Sequence, residues 1–180
     1  MNVTETKCKN CFIIEPRVFD DGRGSFFESY NKAAFDKAIG RSVDFVQDNE
    51  SFSVKGVLRG LHFQKGEYAQ AKLVRVTQGE VLDVVVDLRP NSKSFLQVEA
   101  VILSSENKKQ LFVPKGFAHG FIVLSDTVVF NYKCDNYYNK TSEGGIIYND
   151  PTLNIDWILN PKEFIVSEKD TKLPTVKEMF

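Results

Sequence analysis

The sequence predicts an all-β protein, built as a sandwich or barrel of short strands. Its apolar residues fall in short segments rich in Val, Ile, Phe and Leu, and several of these segments alternate apolar with polar positions. Turn-forming residues separate the segments, and only one stretch has a clear helical spacing. Short strands with frequent turns and little helix are typical of sheets that close on themselves.

Eight segments fit strands: 11–15, 43–47, 72–77, 80–88, 95–103, 109–114, 119–124 and 127–134. Turn signals lie at 20–22, 78–79, 90–91, 105–107 and 125–126. The exception is 31–40, a predicted helix with Asn31 as its N-cap and Gly40 just after its end. From about Asn149 onward, the prolines predict irregular structure packed on the barrel.

The length fits a single domain over residues 1–180, with an N-terminal strand and a C-terminal tail packed on the barrel. The 23 basic and 24 acidic side chains nearly cancel, which argues against a nucleic-acid surface or a membrane-surface helix. The sequence begins without an apolar signal core and has no run of about 20 apolar residues. We expect a soluble cytoplasmic protein.

The chain has three cysteines, an odd number that fits a reducing compartment better than a disulfide framework. Cys8-x-x-Cys11 has the spacing of half a zinc site. A closed zinc site needs four ligands, and Cys134 and the two histidines are poorly spaced to complete it. We expect Cys8 and Cys11 to be ordinary thiols near a loose terminus.

Both histidines lie in segments with other chemically active residues. His62 follows Arg59 inside the apolar run 57–64, and His119 ends the segment Pro114-x-Gly116-x-x-His119. These segments resemble the two cupin motifs, which place side chains inside a small jelly-roll barrel. The His-x-His position of a metal-binding cupin reads His62-Phe63-Gln64 here, so the usual three-histidine metal set cannot be built. We therefore expect no metal.

A barrel interior with these residues would be partly cationic, and buried cations need a compensating charge. Its basic side chains would be Arg59, His62, Lys72 and His119. The spacing alone favours neither of two explanations for how these charges are compensated. The cations face an anionic ligand, whose phosphate oxygens Arg and Lys can clamp, or they pair with acidic residues of the barrel itself. Those acidic residues would be Asp83, Asp87 and Glu80.

Blocks of sequence from about Phe12 to Pro174 carry a more specific resemblance. The blocks are Asp21-x-Arg23-Gly24-x-Phe26-x-Glu28, Phe45-Val46-Gln47-Asp48-Asn49, Val57-Leu58-Arg59-Gly60-Leu61-His62-Phe63-Gln64, Gln70-Ala71-Lys72-Leu73-Val74-Arg75, Gly79-Glu80-Val81-x-Asp83-Val84-x-Val86-Asp87-x-Arg89, Pro114-x-Gly116-Phe117-Ala118-His119-Gly120-Phe121, Tyr132-Lys133, Tyr137-Tyr138, Glu143-Gly144, Asn149-Asp150-Pro151 and Ser167-x-Lys169-Asp170. Together they resemble the dTDP-4-dehydrorhamnose 3,5-epimerase family of the cupin superfamily, which acts in activated deoxysugar synthesis. Phe95-Leu96-Gln97-Val98 departs from the family's usual Phe-Gly-x-Trp run.

The resemblance implies a catalytic role for four residues. His62 is the general base, Asp170 orients it, Tyr132 is the general acid, and Lys72 stabilises the enolate. It implies that ten further residues bind substrate: Arg23, Phe26, Glu28, Gln47, Asn49, Arg59, His119, Tyr138, Glu143 and Lys169. Relatives are homodimers in which an N-terminal strand extends the neighbour's sheet, and we expect the same here.

The chemistry of a nucleotide-linked 4-keto sugar agrees with these roles. Its protons at C3 and C5 lie next to a carbonyl, so removing either one creates an enolate that a fixed cation can stabilise. Imidazole, with an ordinary pKa of about 6.5, suits the base, and tyrosine, with an ordinary pKa of about 10, can return a proton from the opposite face. No cofactor is needed, because the ketone supplies the electron sink.

The leading hypothesis is a cofactor-independent isomerase that converts dTDP-4-dehydro-6-deoxy-D-glucose to dTDP-4-dehydro-L-rhamnose. A second hypothesis within the same chemistry is an epimerase that inverts only C3 or only C5. Three competing hypotheses are a cupin that isomerises the ketone between C3 and C4, a non-catalytic jelly roll that binds sugar nucleotides, and a metal-dependent cupin oxygenase. The sequence leaves the nucleobase and the pathway's end product open.

Overall fold

The computed structural model describes residues 1–180 as two antiparallel sheets packed face to face, which confirms the predicted all-β jelly-roll barrel. The strands are β1 (Asn2–Glu5), β2 (Phe12–Glu15), β3 (Phe19–Asp21), β4 (Gly24–Phe26), β5 (Gln47–Val54), β6 (Val57–Gln64), β7 (Lys72–Gln78), β8 (Glu80–Asp87), β9 (Val98–Ser104), β10 (Gln110–Val113), β11 (Phe117–Val123), β12 (Thr127–Cys134), β13 (Glu143–Gly145) and β14 (Ile165–Val166). The helices are α1 (Lys32–Ile39) and α2 (Val176–Met179). No helix has both the length and the apolar character needed to cross a membrane.

The strand order places the two histidine-bearing segments side by side. One sheet has the order β1-β2-β10-β7-β12-β5, and the other has the order β13-β6-β11-β8-β9, with β14 added in parallel to β6. Because β6 and β11 are neighbours, His62 and His119 lie opposite each other in the ladder. The hairpin of β3 and β4 belongs to neither sheet.

Apolar side chains form three layers. The barrel core lies between the sheets and includes Phe121 and Phe130, whose rings stack 4.3 Å apart. The outer face of the β6–β11–β8 sheet is covered by the C-terminal residues, with Trp157 buried against it. Helix α1 covers part of the other sheet with Phe35 and Ile39. Strand β8 is therefore buried on both faces, which explains why it reads as a continuous apolar run.

The predicted helix is confirmed, together with its ends. Asn31 accepts a hydrogen bond from the backbone N–H of Ala34, and Gly40 takes the left-handed conformation with φ +74°. The tail after Asn149 consists mostly of turns, as expected, with β14 and α2 as its regular pieces.

Two predicted strands begin three or more residues too early, while the boundaries of the other predicted strands differ from the structure by at most two residues. Residues 43–46 do not join a sheet, because Val43 and Phe45 pack against α1, and the strand begins only at Gln47. Residues 95–97 belong to the turn that leads into β9, where Leu96 has a positive φ.

The expectation that Cys8 and Cys11 lie near a loose terminus is wrong. Strand β1 pairs with β2 over its whole length, and both thiols are 0% exposed within the barrel core. Burial raises the pKa of both thiols, that of Cys8 to about 12. They are therefore inert core side chains.

Candidate active site

The site is built where β6 and β11 approach most closely. A Cβ atom added to Gly60 would lie 2.6 Å from Cα of Gly120, and one added to Gly120 would lie 2.6 Å from the carbonyl oxygen of Arg59. Gly60 has φ +122°, a conformation that other residues rarely adopt. The ladder register shifts between His119 and Phe121. Two glycines and an irregular ladder thus set the positions of the flanking side chains.

Two cavities meet at this point. The larger cavity has a volume of about 350 Å³ and is lined by residues of β5, β6, β7 and β12 together with Tyr138 and Glu143. The smaller cavity has a volume of about 120 Å³ and is lined by Arg59, His119 and core aromatic residues among others. Only three side chains line both cavities: His62, Lys72 and Tyr132.

His62 and Asp170 form a close pair. The ring Nε2 of His62 lies 2.7 Å from Oδ1 of Asp170, and the other oxygen of Asp170 accepts a hydrogen bond of 3.2 Å from the backbone N–H of Gly60. The His62 side chain is 31% exposed and that of Asp170 only 5%. Burial acts to raise the pKa of Asp170, but hydrogen bonds from His62, Gly60 and Ser167 lower it overall. Because an ionised carboxylate only accepts, Nε2 of His62 carries the hydrogen, and in the neutral ring Nδ1 holds the lone pair.

Two of the basic side chains have no carboxylate partner. Burial lowers the pKa of Lys72, although the carboxylate of Asp83 acts to raise it. The guanidinium of Arg59 donates to the hydroxyl of Ser53 at 3.2 Å and makes no ion pair. A partly buried ammonium and an unpaired guanidinium are suited to an anionic ligand.

His119 has an acidic partner within the barrel, as the second of the two explanations expected. Its Nε2 lies 2.9 Å from Oδ2 and 3.1 Å from Oδ1 of Asp83, which is fully buried. Burial raises the pKa of Asp83, although His119 acts to lower it. The ring of His119 also stacks on Phe130 at 6.1 Å. Of the four basic residues expected inside the barrel, the two histidines pair with acids, and Arg59 and Lys72 do not. The expectation is wrong for Arg59, which is exposed and reaches only the wall of the smaller cavity.

Tyr132 faces inward from β12, next to Lys72 on β7. The Nζ of Lys72 lies 5.7 Å from the centre of the Tyr132 ring. Burial raises the pKa of the Tyr132 hydroxyl, an effect that nearby Arg59 opposes. The hydroxyl is therefore protonated at neutral pH and can donate a proton.

The remaining predicted residues around the larger cavity form its rim. Gln47 donates to Asn49 at 3.0 Å and accepts from the backbone N–H of Tyr138 at 3.2 Å. Lys169, next to Asp170 in the chain, forms an ion pair of 2.6 Å with Glu143, which raises the pKa of the lysine. The rim is thus polar and includes one exposed aromatic ring, that of Tyr138.

Three predicted substrate-binding residues line neither cavity of their own chain: Arg23, Phe26 and Glu28. Arg23 lies at the β3–β4 hairpin and pairs only with Asp21, at 2.6 Å. Phe26 is 68% exposed. Glu28 accepts a hydrogen bond of 3.2 Å from Asn31 at the start of α1. The side chains of Arg23 and Phe26 are therefore exposed and have no part in either cavity of their own chain.

The sequence interpretation missed several residues of the cavity walls. Ser51 and Ser53 continue the inward face of β5 that Gln47 and Asn49 begin, and this period of two was a usable signal. Cys134 lies two residues after Tyr132 on β12 and lines the larger cavity. Burial raises the pKa of its thiol to about 11.

Comparisons with known proteins find relatives over nearly the whole chain. Residues 5–178 match the family model described as dTDP-4-dehydrorhamnose 3,5-epimerase. The dTDP-4-dehydrorhamnose 3,5-epimerase of Escherichia coli (strain K12) is 55% identical over 179 residues, which cover 99% of this chain and 96% of the relative.

Solved structures give the same result. The crystal structure of dTDP-4-dehydrorhamnose 3,5-epimerase from Elizabethkingia anophelis superposes with a TM-score of 0.96 at 54% identity, covering 99% of this chain and 97% of that one. The Legionella pneumophila dTDP-6-deoxy-D-glucose-3,5-epimerase, in complex with dTDP-4-keto-L-rhamnose, has a TM-score of 0.94 at 47% identity, covering 99% and 94%.

Proposed function

This chain belongs to the dTDP-4-dehydrorhamnose 3,5-epimerase family, as its sequence blocks predict, and on that premise we propose that it converts dTDP-4-dehydro-6-deoxy-D-glucose to dTDP-4-dehydro-L-rhamnose. The observation that carries the proposal is the junction of the two cavities. A base, a cation and an acid line both of them: His62, Lys72 and Tyr132. A pyranose ring at this junction would have its carbonyl and both acidic C–H groups within reach of these three side chains.

Proton abstraction falls to His62. The lone pair on Nδ1 takes the proton from C3 or C5, the C–H electrons form a carbon–carbon double bond, and the carbonyl oxygen becomes an enolate. Asp170, 2.7 Å from Nε2, holds the ring orientation and stabilises the imidazolium that results. Lys72 offers an ammonium without a carboxylate partner to the enolate oxygen, so its attraction grows as the charge develops.

Inversion requires the proton to return from the opposite face of the sugar. We assign this step to the hydroxyl of Tyr132, whose pKa is raised by burial. Solvent then reprotonates the tyrosinate and takes the proton from the His62 imidazolium, so that both groups are ready for the second carbon. Repetition at the second carbon completes the double epimerisation. Arg59 and His119 would bind polar groups of the ligand from the smaller cavity. The rim residues Gln47, Asn49, Tyr138, Glu143 and Lys169 would hold the nucleotide side.

The functional unit that we propose is a homodimer. Strand β1 is paired within its own chain, so we assign the expected strand exchange to the β3–β4 hairpin. Strand β5 is an edge strand beside the larger cavity, with Phe52 61% exposed on its outer face. A partner's hairpin laid along β5 would extend that sheet, cover exposed aromatic surface and bring Arg23 and Phe26 to the cavity mouth. Arg23 would then bind the pyrophosphate, and Phe26 the base.

The compartment that we propose is the cytoplasm. All three cysteines are free and buried, as expected where thiols stay reduced.

Proton NMR of dTDP-4-dehydro-6-deoxy-D-glucose incubated with the enzyme in D₂O tests the reaction. We expect deuterium to enter at both C3 and C5, and both exchanges to stop in His62→Ala. Exchange at one carbon only would show that the protein epimerises a single carbon, against the proposal. Tight binding without exchange would indicate a different nucleotide sugar or a binding protein.

Subunit complementation tests the shared site. The heterodimer combines one His62→Ala chain with one Arg23→Ala/Phe26→Ala chain. If each hairpin acts on the partner, the normal hairpin of the first chain completes the site around the normal His62 of the second chain, and one site is intact. Mixing the two variants through a dissociation step should therefore restore activity. If each hairpin serves its own chain, both sites stay defective and the mixture stays as inactive as its parts.

A further inference from the structure

The segment that carries Asp170 is tied to the barrel at a second point, through the buried carboxylate of Asp150. Asp150 is 1% exposed and lies in the Asn149-Asp150-Pro151 block, which the proposed reaction does not use. Its Oδ1 accepts hydrogen bonds from the backbone N–H groups of Thr152 at 2.8 Å and Leu153 at 3.0 Å. Its Oδ2 accepts one from the backbone N–H of Val176 at 2.7 Å. One side chain thus joins the start of the tail to a point six residues beyond Asp170.

Besides this carboxylate, the packing of Val176 in the apolar layer that contains Trp157 holds this part of the chain, together with a small number of backbone contacts. Between Asp170 and Val176, the only regular element is a short 3-10 turn at Asp170–Lys172. The backbone N–H of Ile147 donates to the carbonyl of Pro174 at 2.9 Å, and Leu173 packs closely over Gly145. The carboxylate of Asp150 adds a charge-assisted bond from outside this stretch, and such bonds are stronger than those between neutral groups.

Removal of this carboxylate would leave a buried donor without a partner. Val176 is buried, and its N–H has no other acceptor than Asp150. A buried amide that loses its partner tends to move until it finds another or reaches water. Because only a short stretch separates Val176 from Asp170, such movement would be transmitted to the carboxylate that holds His62.

We propose that Asp150 is a positioning residue for the His62–Asp170 pair. It lines neither cavity, so it has no contact with the sugar nucleotide in its own chain, and it acts only through the segment that delivers Asp170. The inference rests on the roles proposed above for His62 and Asp170. It predicts an effect on the chemical step with little effect on substrate binding.

The test is Asp150→Ala, compared with Asp156→Ala as the matched control. Asp156 is an exposed neighbour whose carboxylate accepts only from the N–H of Ile158 in a local turn. The chain has two histidines, and Nε2 of each lies within hydrogen-bond distance of an aspartate side chain, so we expect two hydrogen-bonded imidazole protons far downfield in the proton NMR spectrum. In Asp150→Ala we expect the His62 signal to broaden or disappear, while the His119 signal, held by Asp83, persists as an internal reference.

The kinetic expectation is a split between kcat and KM. In Asp150→Ala, kcat should fall by about 10- to 100-fold, since displacement of a catalytic group by about 1 Å costs up to about 100-fold. KM should stay within about twofold, and Asp156→Ala should match the wild type in every respect. An unchanged His62 signal together with near-normal kcat would overturn the proposal.

A second variant decides the matter if Asp150→Ala does not fold. Val176→Pro removes the donor and leaves Asp150 in place, at the first residue of α2, where proline is tolerated and the preceding Thr175 is already extended. Selective loss of the His62 signal in this variant would support the proposal, and its retention would overturn it. The NMR readout does not depend on catalysis, so full activity of His62→Ala would refute the proposed reaction without affecting the test of Asp150.

Discussion

The ammonium of Lys72 lies 5.7 Å from the centre of the Tyr132 ring, and the two residues come from neighbouring strands of one sheet, β7 and β12. At this distance a cation and the face of an aromatic ring attract each other. The proposed enolate stabiliser and the proposed acid therefore share one wall of the site. A substitution of either one changes the surroundings of the other, so their effects should not add.

Lys72→Met should abolish epimerisation and stabilise the protein at neutral pH. Burial lowers the pKa of Lys72 below 10.5, so the folded protein binds this proton less tightly than the unfolded chain. At pH values below the lowered pKa, the charged Lys72 therefore reduces the free energy of unfolding of the wild type. This destabilisation disappears as the pH rises toward about 10.5. We expect Tm at pH 7 to rise by about 3 °C in the variant, which corresponds to about 1 kcal/mol for a chain of this size.

Thermal unfolding at pH 7 and pH 10 tests whether the stability gain of Lys72→Met decreases with rising pH. The gain in Tm should be smaller at pH 10 than at pH 7. Lys140→Met, at an exposed lysine, provides the control and should change neither Tm nor activity. A variant less stable than the wild type at pH 7 would contradict the view that Lys72 is kept for function at the expense of stability.

Tyr132→Phe should separate proton removal from inversion. Without the hydroxyl, His62 can still take a proton and return it to the same face. We expect net epimerisation to fall by at least about 100-fold, a typical contribution of a general acid, while deuterium still enters the substrate from D₂O. Mass spectrometry and NMR of the same samples measure both quantities. The control is Tyr137→Phe, at an exposed ring outside both cavities, which should behave as the wild type. If Tyr132→Phe lost deuterium exchange and inversion to the same extent, Tyr132 would not act as the acid.

Asp170→Asn should lower kcat by about 100-fold or more, because an amide cannot stabilise the imidazolium and its NH₂ group favours the wrong tautomer of His62. The affected bond is the 2.7 Å contact between Nε2 and Oδ1. Steady-state kinetics measures the loss. The control is Glu168→Gln, whose exposed side chain pairs only with Lys172 in the same segment. If the two variants were equally active, Asp170 would have no part in the reaction.

Gly60→Ala should destabilise the fold by about 3 kcal/mol or more, because it combines a strained backbone with a steric conflict. The new Cβ would lie 2.6 Å from Cα of Gly120, at φ +122°. Gly66→Ala offers a matched control with φ +60° and nothing within 4 Å, and it should cost only about 1 kcal/mol. Urea unfolding of both variants gives the comparison. Similar midpoints would mean that β6 and β11 can move apart at low cost.

The parts of the fold that follow from local pattern could be predicted from the sequence. The helix at 32–39 has a polar N-cap, an apolar stripe and a terminal glycine, and all three signals act within the element itself. Strand β1 has no such signal, because its four residues are mostly polar and it forms only by pairing with β2. Val43 and Phe45 have the composition of a strand, yet packing on α1 decides their structure.

The site was predictable to the extent that its residues share a strand or a motif. Phe130, Tyr132 and Cys134 alternate along β12, so one inward side chain identifies the others. The pairing of His119 with Asp83 depends on β11 lying beside β8, and spacing alone could not choose between Asp83, Asp87 and Glu80. The roles predicted for Arg23 and Phe26 could not be checked in this way, because neither residue lines a cavity that contains His62 in its own chain.

Asp170 follows His62 by 108 residues in the chain. Protein synthesis runs from the N-terminus, so strands β1 to β13, which end at Gly145, leave the ribosome before Asp170 does. The carboxylate that lies against His62 is therefore made after the strand that carries the histidine, and the pair forms only when the later segment docks on β6. A chain synthesised only as far as β13 would thus have the histidine without its carboxylate, so the proposed base would be the last part of the site to be completed.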